Sequence, residues 1–354
     1  MKGVVLHGGS GTRLRPFTFI GPKQLMPIAN KPVSEYVVRD LVACDIKEIA
    51  IILGGTHPER VKNHYRDGSS YGVKITYIDQ GEPLGIAHAV GLSRDFVDGD
   101  KFVVYLGDNM IQNGIKPYLE RFIANDYDAM VLLKEVADPK QFGVAELDDK
   151  GKLIRLVEKP EDPPSNYALT GIYFFTPVIF KAIGQLRPSW RGELEITDAI
   201  QKLIDWGFNV GYEFVKGWWV DTGKKDDILQ VNALVLDERG RREIRGETLN
   251  SLVEGRVEIA EDTKIINSTI RGPAIIGSGC VIENSYIGPY TSIWDNTTVI
   301  NSSVEYCVIM KNVVIRNVER LEESLIGNYT RVETRYSNRR ALKLQVGDYS
   351  EVLL

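Results

Sequence analysis

Residues 4–13 read VVLHGGSGTR, which places a glycine-rich turn directly after a short apolar run. The run Val4–Leu6 is typical of a buried strand. Glycines in the turn would let backbone N–H groups approach a polyphosphate, because no Cβ stands in the way. The turn is neither a Walker A loop, which needs Gly-Lys-Ser/Thr, nor the dinucleotide fingerprint, whose third glycine is absent. The stretch predicts a strand that ends in an anion-binding turn of another kind.

After this turn, short β-branched runs alternate with amphipathic segments along the chain. The predicted strands are Val4–Leu6, Glu48–Leu53, Val73–Ile78 and Phe102–Leu106, and a β-rich stretch follows from Ala129 to Phe175. The predicted helices lie near Val33–Ala43, His57–Arg66, Ile86–Arg94, Ile115–Ala124, Leu194–Trp206 and Lys224–Leu236. This alternation predicts a Rossmann-like α/β fold with a mixed, mostly parallel sheet covered on both faces. Ligands of such sheets bind at the carboxyl ends of the strands.

The pattern changes after a charged connector at Asp237–Glu243. From Val257 to Val332, aliphatic residues recur every five or six positions beside small or polar residues, as in Ile276-Gly277 and Ile287-Gly288. Hexapeptide spacing predicts a parallel β-helix, with antiparallel hairpins as the alternative. The tail Arg335–Leu354 is not repeat-like and could cap the helix or pack on a neighbour. We therefore predict a catalytic domain at residues 1–237 and a hexapeptide-repeat domain with a C-terminal tail at 238–354.

Composition excludes several classes of protein. The 354 residues carry a net charge of −5, which argues against a nucleic-acid partner. Cys44, Cys280 and Cys307 are odd in number and lack CxxC spacing, so a disulfide framework or a zinc site is not expected. No stretch approaches the roughly 20 apolar residues of a membrane span, and the N-terminal apolar run is too short for a signal peptide. We expect a cytoplasmic protein without a membrane partner.

Charged residues follow the predicted strands in a pattern that fits phosphate chemistry. The first motif continues through Arg13, Pro16 and Lys23 to Lys31-Pro32, and its cations would neutralise a triphosphate. Asp108 and Asp221 each follow an apolar run, and two carboxylates together with phosphate oxygens can bind Mg²⁺. Capping of a helix or turn is the alternative for either aspartate taken singly.

Three further segments carry polar groups suited to a base and a sugar. In Gln80–Ala89, the glutamine amide could accept from a pyrimidine N3–H and donate to a carbonyl, with backbone groups free at Gly85. Glu158-Lys159 and the backbone of Gly143 could bind sugar hydroxyls and a sugar phosphate. A solvated surface is the alternative for these residues. The motif Arg191–Asp198 fits a helix-start cap as well as it fits a sugar contact, so it is left out of the predicted site.

With these motifs in this order, the chain resembles the nucleotidyltransferases that activate glucose 1-phosphate with dTTP or UTP. It is particularly similar to glucose-1-phosphate thymidylyltransferases of the long type, which carry a left-handed β-helix after the catalytic domain. The resemblance covers essentially the whole chain and is strongest from Met1 to Gly223. Phe142 departs from it, since many members have Tyr there.

The resemblance implies a role for each matching residue. Arg13, Lys23 and Asp108 would be catalytic, and Asp108 and Asp221 would bind Mg²⁺. The nucleotide would contact Leu6, Gly8, Gly9, Ser10, Gly11, Thr12, Arg13, Gln80, Pro83, Gly85 and Asp108. The sugar phosphate would contact Lys23, Gly143, Glu158, Lys159 and Gly171. The expected substrates are dTTP or UTP and glucose 1-phosphate, which would give dTDP-glucose or UDP-glucose and pyrophosphate.

Several alternatives remain open from the sequence. Another sugar 1-phosphate, such as N-acetylglucosamine 1-phosphate, could be the substrate. Some relatives join an acetyltransferase β-helix to this domain, but all four histidines here lie at or before His88, outside the repeats. A regulatory scaffold of the same layout is the non-enzymatic alternative, although the predicted catalytic residues are all present. We expect the β-helix to serve oligomerisation, giving a homo-oligomer, or regulation.

Overall fold

Residues 1–334 and 343–353 are described by a computed structural model of the chain. Their contacts group them into two units. The first unit comprises Met1–Ser10 and Val33–Asp221, and the second comprises Gly11–Pro32 and Thr222–Leu354. The chain therefore passes from one unit to the other three times. The division of the sequence into domains at residue 237 stays a prediction.

The elements up to residue 240 alternate between strands and helices, as the sequence predicts. The strands are β1 Lys2–His7, β2 Pro27–Ile28, β3 Lys31–Pro32, β4 Glu48–Leu53, β5 Lys74–Asp79, β6 Phe102–Leu106, β7 Asn109–Ile111, β8 Ala129–Glu135, β9 Gly143–Leu147, β10 Leu153–Glu158, β11 Tyr167–Phe175, β12 Val210–Phe214 and β13 Trp219–Asp221. The helices are α1 Val33–Ala43, α2 Pro58–Tyr65, α3 Ile86–Gly91, α4 Arg94–Val97, α5 Lys116–Ala124, α6 Ile179–Ile183, α7 Ile196–Asp205 and α8 Lys225–Arg239. Single-turn 3-10 helices lie at Thr12–Leu14, Phe17–Phe19, Lys23–Leu25 and Ser69–Tyr71.

The first unit is built on one mixed sheet with the strand order β10-β9-β11-β6-β1-β4-β5, and β8 joins β11 to β12. Strands β1, β4, β5 and β6 are parallel, so their carboxyl ends lie along one edge. Val4 and Val5 in the central strand are fully buried, as expected for a strand covered on both faces. The predicted α/β class is confirmed, and β8 to β11 supply the predicted extension of the sheet.

The second unit contains a stack of short parallel strands. These strands are β14 Glu243–Ile244, β15 Glu247–Leu249, β16 Leu252–Glu254, β17 Val257–Ile259, β18 Lys264–Ile266, β19 Thr269–Arg271, β20 Ala274–Ile276, β21 Val281–Glu283, β22 Tyr286–Ile287, β23 Thr291–Ile293, β24 Thr298–Ile300, β25 Ser303–Glu305, β26 Val308–Ile309, β27 Val314–Arg316, β28 Leu321–Glu322, β29 Leu325–Ile326, β30 Arg331–Glu333, β31 Gln345–Val346 and β32 Glu351–Leu353. They form three parallel sheets, consistent with the predicted left-handed β-helix. Ile265, Ile282 and Val299 occupy the same register in successive coils and are fully buried.

Both ends of the stack extend beyond the repeats that the sequence indicated. The first coil begins at Glu243 rather than Val257, and Leu249 and Leu252 in it are exposed. A terminal coil has a neighbour on only one side, so its sequence is atypical. At the other end, β31 pairs with β29 and β32 with β30. Residues 345–353 of the tail therefore continue the stack at its C-terminal end, although their sequence is not repeat-like. Residues 335–342 and 354 of that tail lie outside the described residues.

A row of asparagines follows one corner of the β-helix. Asn267, Asn284, Asn301 and Asn317 all have a left-handed backbone, with φ between 47° and 55°. Each of the first three donates its side-chain amide to the oxygen of the next, at 3.1–3.3 Å. Asparagine tolerates the left-handed backbone that these turns require. We call this row the asparagine ladder.

Across residues 1–334 and 343–353, no helix combines the length and apolar character that a membrane crossing requires.

Candidate active site

The first glycine-rich turn lies at the edge where the parallel strands end. Gly54 donates its N–H to the carbonyl of His7, and Gly107 donates to that of Leu6, at 3.0 Å each. Gln80 donates its backbone N–H to Leu53 at 2.8 Å. The ends of β1, β4, β5 and β6 are thus held side by side. This pairing brings together the predicted nucleotide-binding residues Leu6, Gly8, Gly9, Ser10, Gln80 and Asp108.

The side chain of Gln80 is buried beneath this edge. Its Nε2 is 3.4 Å from the carbonyl oxygen of Gly85, to which it donates. A Cβ added to Gly54 would lie 2.3 Å from Gln80 Oε1, and one added to Gly8 would lie 3.4 Å from it. Gly54 therefore makes room for the Gln80 amide. Gly54 and Gly55 were not among the predicted site residues, although a glycine pair directly after β4 repeats the signal that follows β1.

Gly85 connects the predicted base-binding segment to the motif that the sequence analysis left out. Its φ of 108° is a conformation that glycine adopts readily and other residues rarely adopt. A Cβ there would lie 2.5 Å from the carbonyl oxygen of Leu194. Leu194 donates its N–H to Leu84 at 2.7 Å and accepts from Ala87 at 3.0 Å. The segment Arg191–Asp198 thus fixes the turn that carries Pro83 and Gly85.

The two predicted metal-binding aspartates are brought together by a small antiparallel pair. Strand β13 pairs with β7 so that Asp221 lies opposite Asn109, the residue after Asp108. Asn109 Oδ1 accepts from Trp219 Nε1 at 2.7 Å, and Asn109 Nδ2 donates to Asp108 Oδ1 at 3.3 Å. Gly171 packs here too, since a Cβ on it would lie 2.9 Å from Asn109 Cγ.

The donor set at this place fits a hard divalent cation. Among the described residues, no group of three or more His, Cys, Asp or Glu side chains could hold a metal ion. The predicted metal site stays a prediction in which Asp108 and Asp221 would supply two carboxylates, and phosphate oxygens and water would complete the coordination. Magnesium is usually bound in proteins through one or two carboxylates together with substrate phosphates.

The predicted sugar-binding residues lie where β9 and β10 pair. Gly143 is opposite Glu158 in the register, and a Cβ on Gly143 would lie 3.2 Å from Glu158 Oε2. Thr197 donates its hydroxyl to Glu158 Oε2 at 3.2 Å. Lys159 follows with φ of 42°, and its N–H donates to the carbonyl of Phe142 at 3.0 Å. The Phe142 ring packs edge-on against Trp219 at 5.1 Å between centroids.

Arg191 is the main residue here that sequence reasoning missed. Its guanidinium lies 3.7 Å from Glu158 Oε1 and 3.2 Å from Glu195 Oε1. Burial, followed by the charge of Glu195, raises the pKa of Glu158 to about 7. A cavity of about 720 Å³ adjoins these groups and is lined in part by Glu158, Glu195 and Trp190. The signal in the sequence was present, because Arg191 opens the motif Arg191–Asp198 that was left out of the predicted site.

In the second unit, Gly11–Pro32 carries the remaining predicted residues, Gly11, Thr12, Arg13 and Lys23. Gly11 has φ of 60°, and a Cβ on it would lie 2.8 Å from Thr18 Cγ2. Thr18 donates its hydroxyl to the carbonyl of Gly11 at 2.7 Å. Arg13 is exposed, and Lys23 begins the third single-turn helix of the segment.

The family model for nucleotidyl transferases matches residues 2–238 of this chain. The chain belongs to the nucleotidyl transferase family. The predictions of the fold class, of the enzyme class and of nucleotidyl transfer in nucleotide-sugar biosynthesis are confirmed. Members of the family bind a nucleoside triphosphate and a sugar 1-phosphate, and they generally use a divalent metal.

Individual relatives extend the likeness over the whole chain. The low-salt glycan biosynthesis nucleotidyltransferase Agl11 of Haloferax volcanii is 49% identical over 92% of each chain. A glucose-1-phosphate thymidylyltransferase of Streptomyces antibioticus is 45% identical over 99% of each chain. A crystal structure from Bacillus anthracis, provisionally assigned as a glucose-1-phosphate thymidylyltransferase and complexed with a sucrose, is 43% identical. It covers 66% of this chain and 94% of its own, with a TM-score of 0.62.

Proposed function

We propose that the protein transfers the thymidylyl group of dTTP to glucose 1-phosphate, giving dTDP-glucose and pyrophosphate. The observation that carries the proposal is the pairing of β7 with β13, which puts Asp221 opposite Asn109, next to Asp108, at the edge where the parallel strands end. The name of the Streptomyces antibioticus relative supports the choice of sugar and nucleotide. UTP is the alternative nucleotide, since it shares the same base edge apart from the thymine methyl.

The proposed reaction is a direct in-line displacement. A phosphate oxygen of the sugar 1-phosphate attacks the α-phosphorus of the triphosphate and forms the new P–O bond. The bond from the α-phosphorus to the oxygen bridging to the β-phosphorus breaks, and its electron pair leaves with pyrophosphate. The attacking oxygen is already anionic at neutral pH, so no protein nucleophile or base is required. The barrier comes from bringing two anions together, and it is lowered by positioning and by positive charge.

We assign the charge neutralisation to cationic side chains, to backbone N–H groups and to the metal ion. Arg13 and Lys23 would stabilise the triphosphate and the leaving pyrophosphate, and the backbone N–H groups of Gly8–Thr12 would line the phosphates. Lys159 would hold the sugar phosphate, and Arg191 would hold Glu158 and Glu195 in place beside it. Mg²⁺ held by Asp108 and Asp221 would add positive charge at the phosphate oxygens.

Recognition of the base and the sugar would rest on uncharged contacts and one carboxylate. The Gln80 amide can both donate and accept, which matches N3–H and a carbonyl of thymine or uracil. The backbone at Gly85, together with Leu6 and Pro83, would bound the base. Glu158 and the backbone of Gly143 would accept from and donate to sugar hydroxyls.

We also propose that the protein is a homo-oligomer and that it is located in the cytoplasm.

A second candidate is transfer to a different sugar 1-phosphate. The name of the Haloferax volcanii relative supports this candidate, because it specifies glycan biosynthesis and does not specify glucose. N-acetylglucosamine 1-phosphate differs from glucose 1-phosphate at one ring position. The Gln80 contacts would be unchanged, so the two candidates differ only in the sugar.

A substrate matrix tests the proposal. The purified protein is given dTTP, UTP, ATP, GTP or CTP with glucose, galactose or N-acetylglucosamine 1-phosphate, and pyrophosphate release is measured with Mg²⁺ and with excess chelator. We expect the highest kcat/KM for dTTP with glucose 1-phosphate and no release under chelation. Highest activity with a purine triphosphate would overturn the base assignment. Highest activity with N-acetylglucosamine 1-phosphate would favour the second candidate.

A further inference from the structure

The segment Gly11–Pro32 has little regular structure of its own. It consists of three single-turn 3-10 helices and the hairpin formed by β2 and β3, each two residues long. A two-stranded hairpin is marginally stable by itself. The segment groups by its contacts with Thr222–Leu354, so α8 and the β-helix hold its shape.

One side chain joins the hairpin to the β-helix. Asn232 on α8 is only 1% exposed. Its Oδ1 accepts from the backbone N–H of Ala29 at 2.8 Å, and its Nδ2 donates to the carbonyl of Tyr290 at 3.1 Å. Ala29 is in the hairpin turn, and Tyr290 precedes β23. A single buried amide therefore satisfies a donor in the segment and an acceptor in the β-helix.

A second amide makes the same connection from the hairpin side. Asn30 Nδ2 donates to the carbonyl oxygen of Ile293 in β23 at 2.7 Å. Ala29 and Asn30 have φ of 44° and 59°, which is the backbone of a type I′ hairpin turn. That backbone is unfavourable for alanine, and it persists where surrounding contacts fix it. The hydrogen bonds from Asn232 and Asn30 supply that fixation.

Further contacts hold the segment nearer to Arg13. A Cβ added to Gly347 would lie 3.0 Å from Pro16 Cγ, so the coil between β31 and β32 packs against Pro16. Arg13 also lies near α8. Burial raises the pKa of Asp227 on that helix, and the backbone hydrogen bond and the charge of Lys224, followed by the charge of Arg13, oppose the rise. The β-helix therefore contacts the segment at the hairpin turn and at Pro16, on either side of Lys23 in the sequence.

We propose that Asn232 and Asn30 are positioning residues for nucleotidyl transfer, which fix Gly11–Pro32 on α8 and the β-helix and thereby place Arg13 and Lys23. The β-helix then contributes to catalysis by holding the segment that carries Arg13 and Lys23. The inference rests on the catalytic roles proposed for Arg13 and Lys23.

The first test is Asn30→Gly. Glycine accepts the positive φ of this position, so the change removes the hydrogen bond to Ile293 and leaves the turn allowed. We expect kcat to fall by about tenfold to a hundredfold, because small misplacements of catalytic groups have effects of this size. Asn284→Gly is the matched control. It also replaces an asparagine with positive φ, and it removes two hydrogen bonds of the asparagine ladder, one accepted from Asn267 and one donated to Asn301. We expect its kcat within about twofold of wild type.

Asn232→Ala extends the test to the buried amide. It leaves the N–H of Ala29 and the carbonyl of Tyr290 without Asn232, so kcat should fall at least as far as in Asn30→Gly. The melting midpoint is measured for each variant to separate loss of the native state from misplacement. If Asn232→Ala does not fold, Asn30→Gly alone decides. A wild-type kcat in folded Asn30→Gly overturns the proposal.

A double-mutant cycle separates positioning from general stability. The loss caused by Asn30→Gly is measured again in Arg13→Ala and in Lys23→Ala. If Asn30 acts through these cations, its effect should be at least about threefold smaller in one of these backgrounds. The same cycle with Glu158→Gln should be additive. Equal losses in every background would overturn the proposal, because a merely structural role is insensitive to Arg13 and Lys23.

The same variants distinguish this inference from the proposed function. Wild-type pyrophosphate release in Arg13→Ala and Lys23→Ala would remove the catalytic roles themselves. A strong loss in those two variants with none in Asn30→Gly would leave the proposed function intact and remove only the positioning role.

Discussion

Buried polar groups repeat regularly in the β-helix, whereas at the sheet edge each of them has its own set of contacts. In the β-helix, Ser268, Ser285 and Ser302 repeat every 17 residues, and each hydroxyl accepts from the backbone N–H of the next coil. At the sheet edge, Gln80, Asp108 and Glu158 are each held by a different local arrangement, and Glu158 has a raised pKa. Repetition of a satisfied polar group indicates a structural role. Burial of a single ionisable group beside another of the same charge indicates a functional one.

We expect the greatest loss of activity when one carboxylate at the sheet edge loses its charge. Asp108→Asn keeps the side-chain oxygen that accepts from Asn109 but removes the charge. We expect pyrophosphate release at saturating Mg²⁺ to fall by about 10²–10³-fold, the size seen when one electrostatic group is lost from an active site. The melting midpoint should be unchanged.

Asp148→Asn is the matched control for this change. Asp148 is a turn carboxylate that accepts from the backbone N–H groups of Lys150 and Lys152, and asparagine can do the same. Its activity should equal that of the wild type. Wild-type activity in Asp108→Asn would remove Asp108 from the mechanism.

The next effect concerns the packing of the base-binding amide. Gly54→Ala would put a Cβ 2.3 Å from Gln80 Oε1, so the amide must move. Steady-state kinetics should show a KM for dTTP about tenfold higher, from roughly 1–2 kcal/mol of lost hydrogen bonding, with kcat and the KM of glucose 1-phosphate little changed.

Gly184→Ala offers the comparison for Gly54→Ala, because the nearest atom to its added Cβ is 3.4 Å away. It should leave both KM values unchanged. An unaltered KM for dTTP in Gly54→Ala would mean that Gln80 does not contact the base.

The raised pKa of Glu158 predicts a pH dependence. Burial and Glu195 move this pKa from the ordinary 4.5 to about 7. The native state therefore binds more protons than the unfolded chain between these values, so stability falls as pH rises across this window. Glu158→Gln removes the dependence, and at pH 8 it should raise the free energy of unfolding by about 1–3 kcal/mol relative to the wild type.

Kinetics supply a second measurement on the same variant. In the wild type, the KM of glucose 1-phosphate should decrease as pH rises through 7, because the ionised carboxylate accepts better from hydroxyls. Glu158→Gln should lack that component while retaining the titration of the substrate phosphate. The identification of Glu158 with the sugar site fails if both proteins give the same pH profile.

Loss of one repeated hydroxyl in the β-helix should have a smaller effect, and only on stability. Ser285→Ala removes the acceptor for the N–H of Ser302 and should lower the free energy of unfolding by about 1 kcal/mol. The outward-facing Ser303→Ala should change it by less than about 0.5 kcal/mol. Neither should alter kcat below the melting transition. A selective loss of activity in folded Ser285→Ala would contradict the structural reading of the repeated hydroxyls.

Local patterns accounted for much of the fold. The bounds predicted for β4, β6 and α1 agree with the structure, because apolar periodicity and flanking turn residues report on a few neighbouring positions. The repeats predicted the β-helix for the same reason, since each coil contacts only its neighbours. Its first coil and its last strands were not predicted. The first coil stacks on one side only, and an interruption precedes the last strands, so the repeat is weaker at both ends.

Local sequence sufficed to predict the order of strands, turns and charged motifs, including the glycine-rich turn at residues 8–11 and both aspartates. The folded chain was needed to show that Asp221 pairs opposite Asn109, that Arg191 lies beside Glu158, and that Gly11–Pro32 groups with α8 and the β-helix. Such contacts join residues that are far apart in the chain. Their register is set by side-chain packing and by the pairing of buried backbone groups, which no short stretch of sequence encodes.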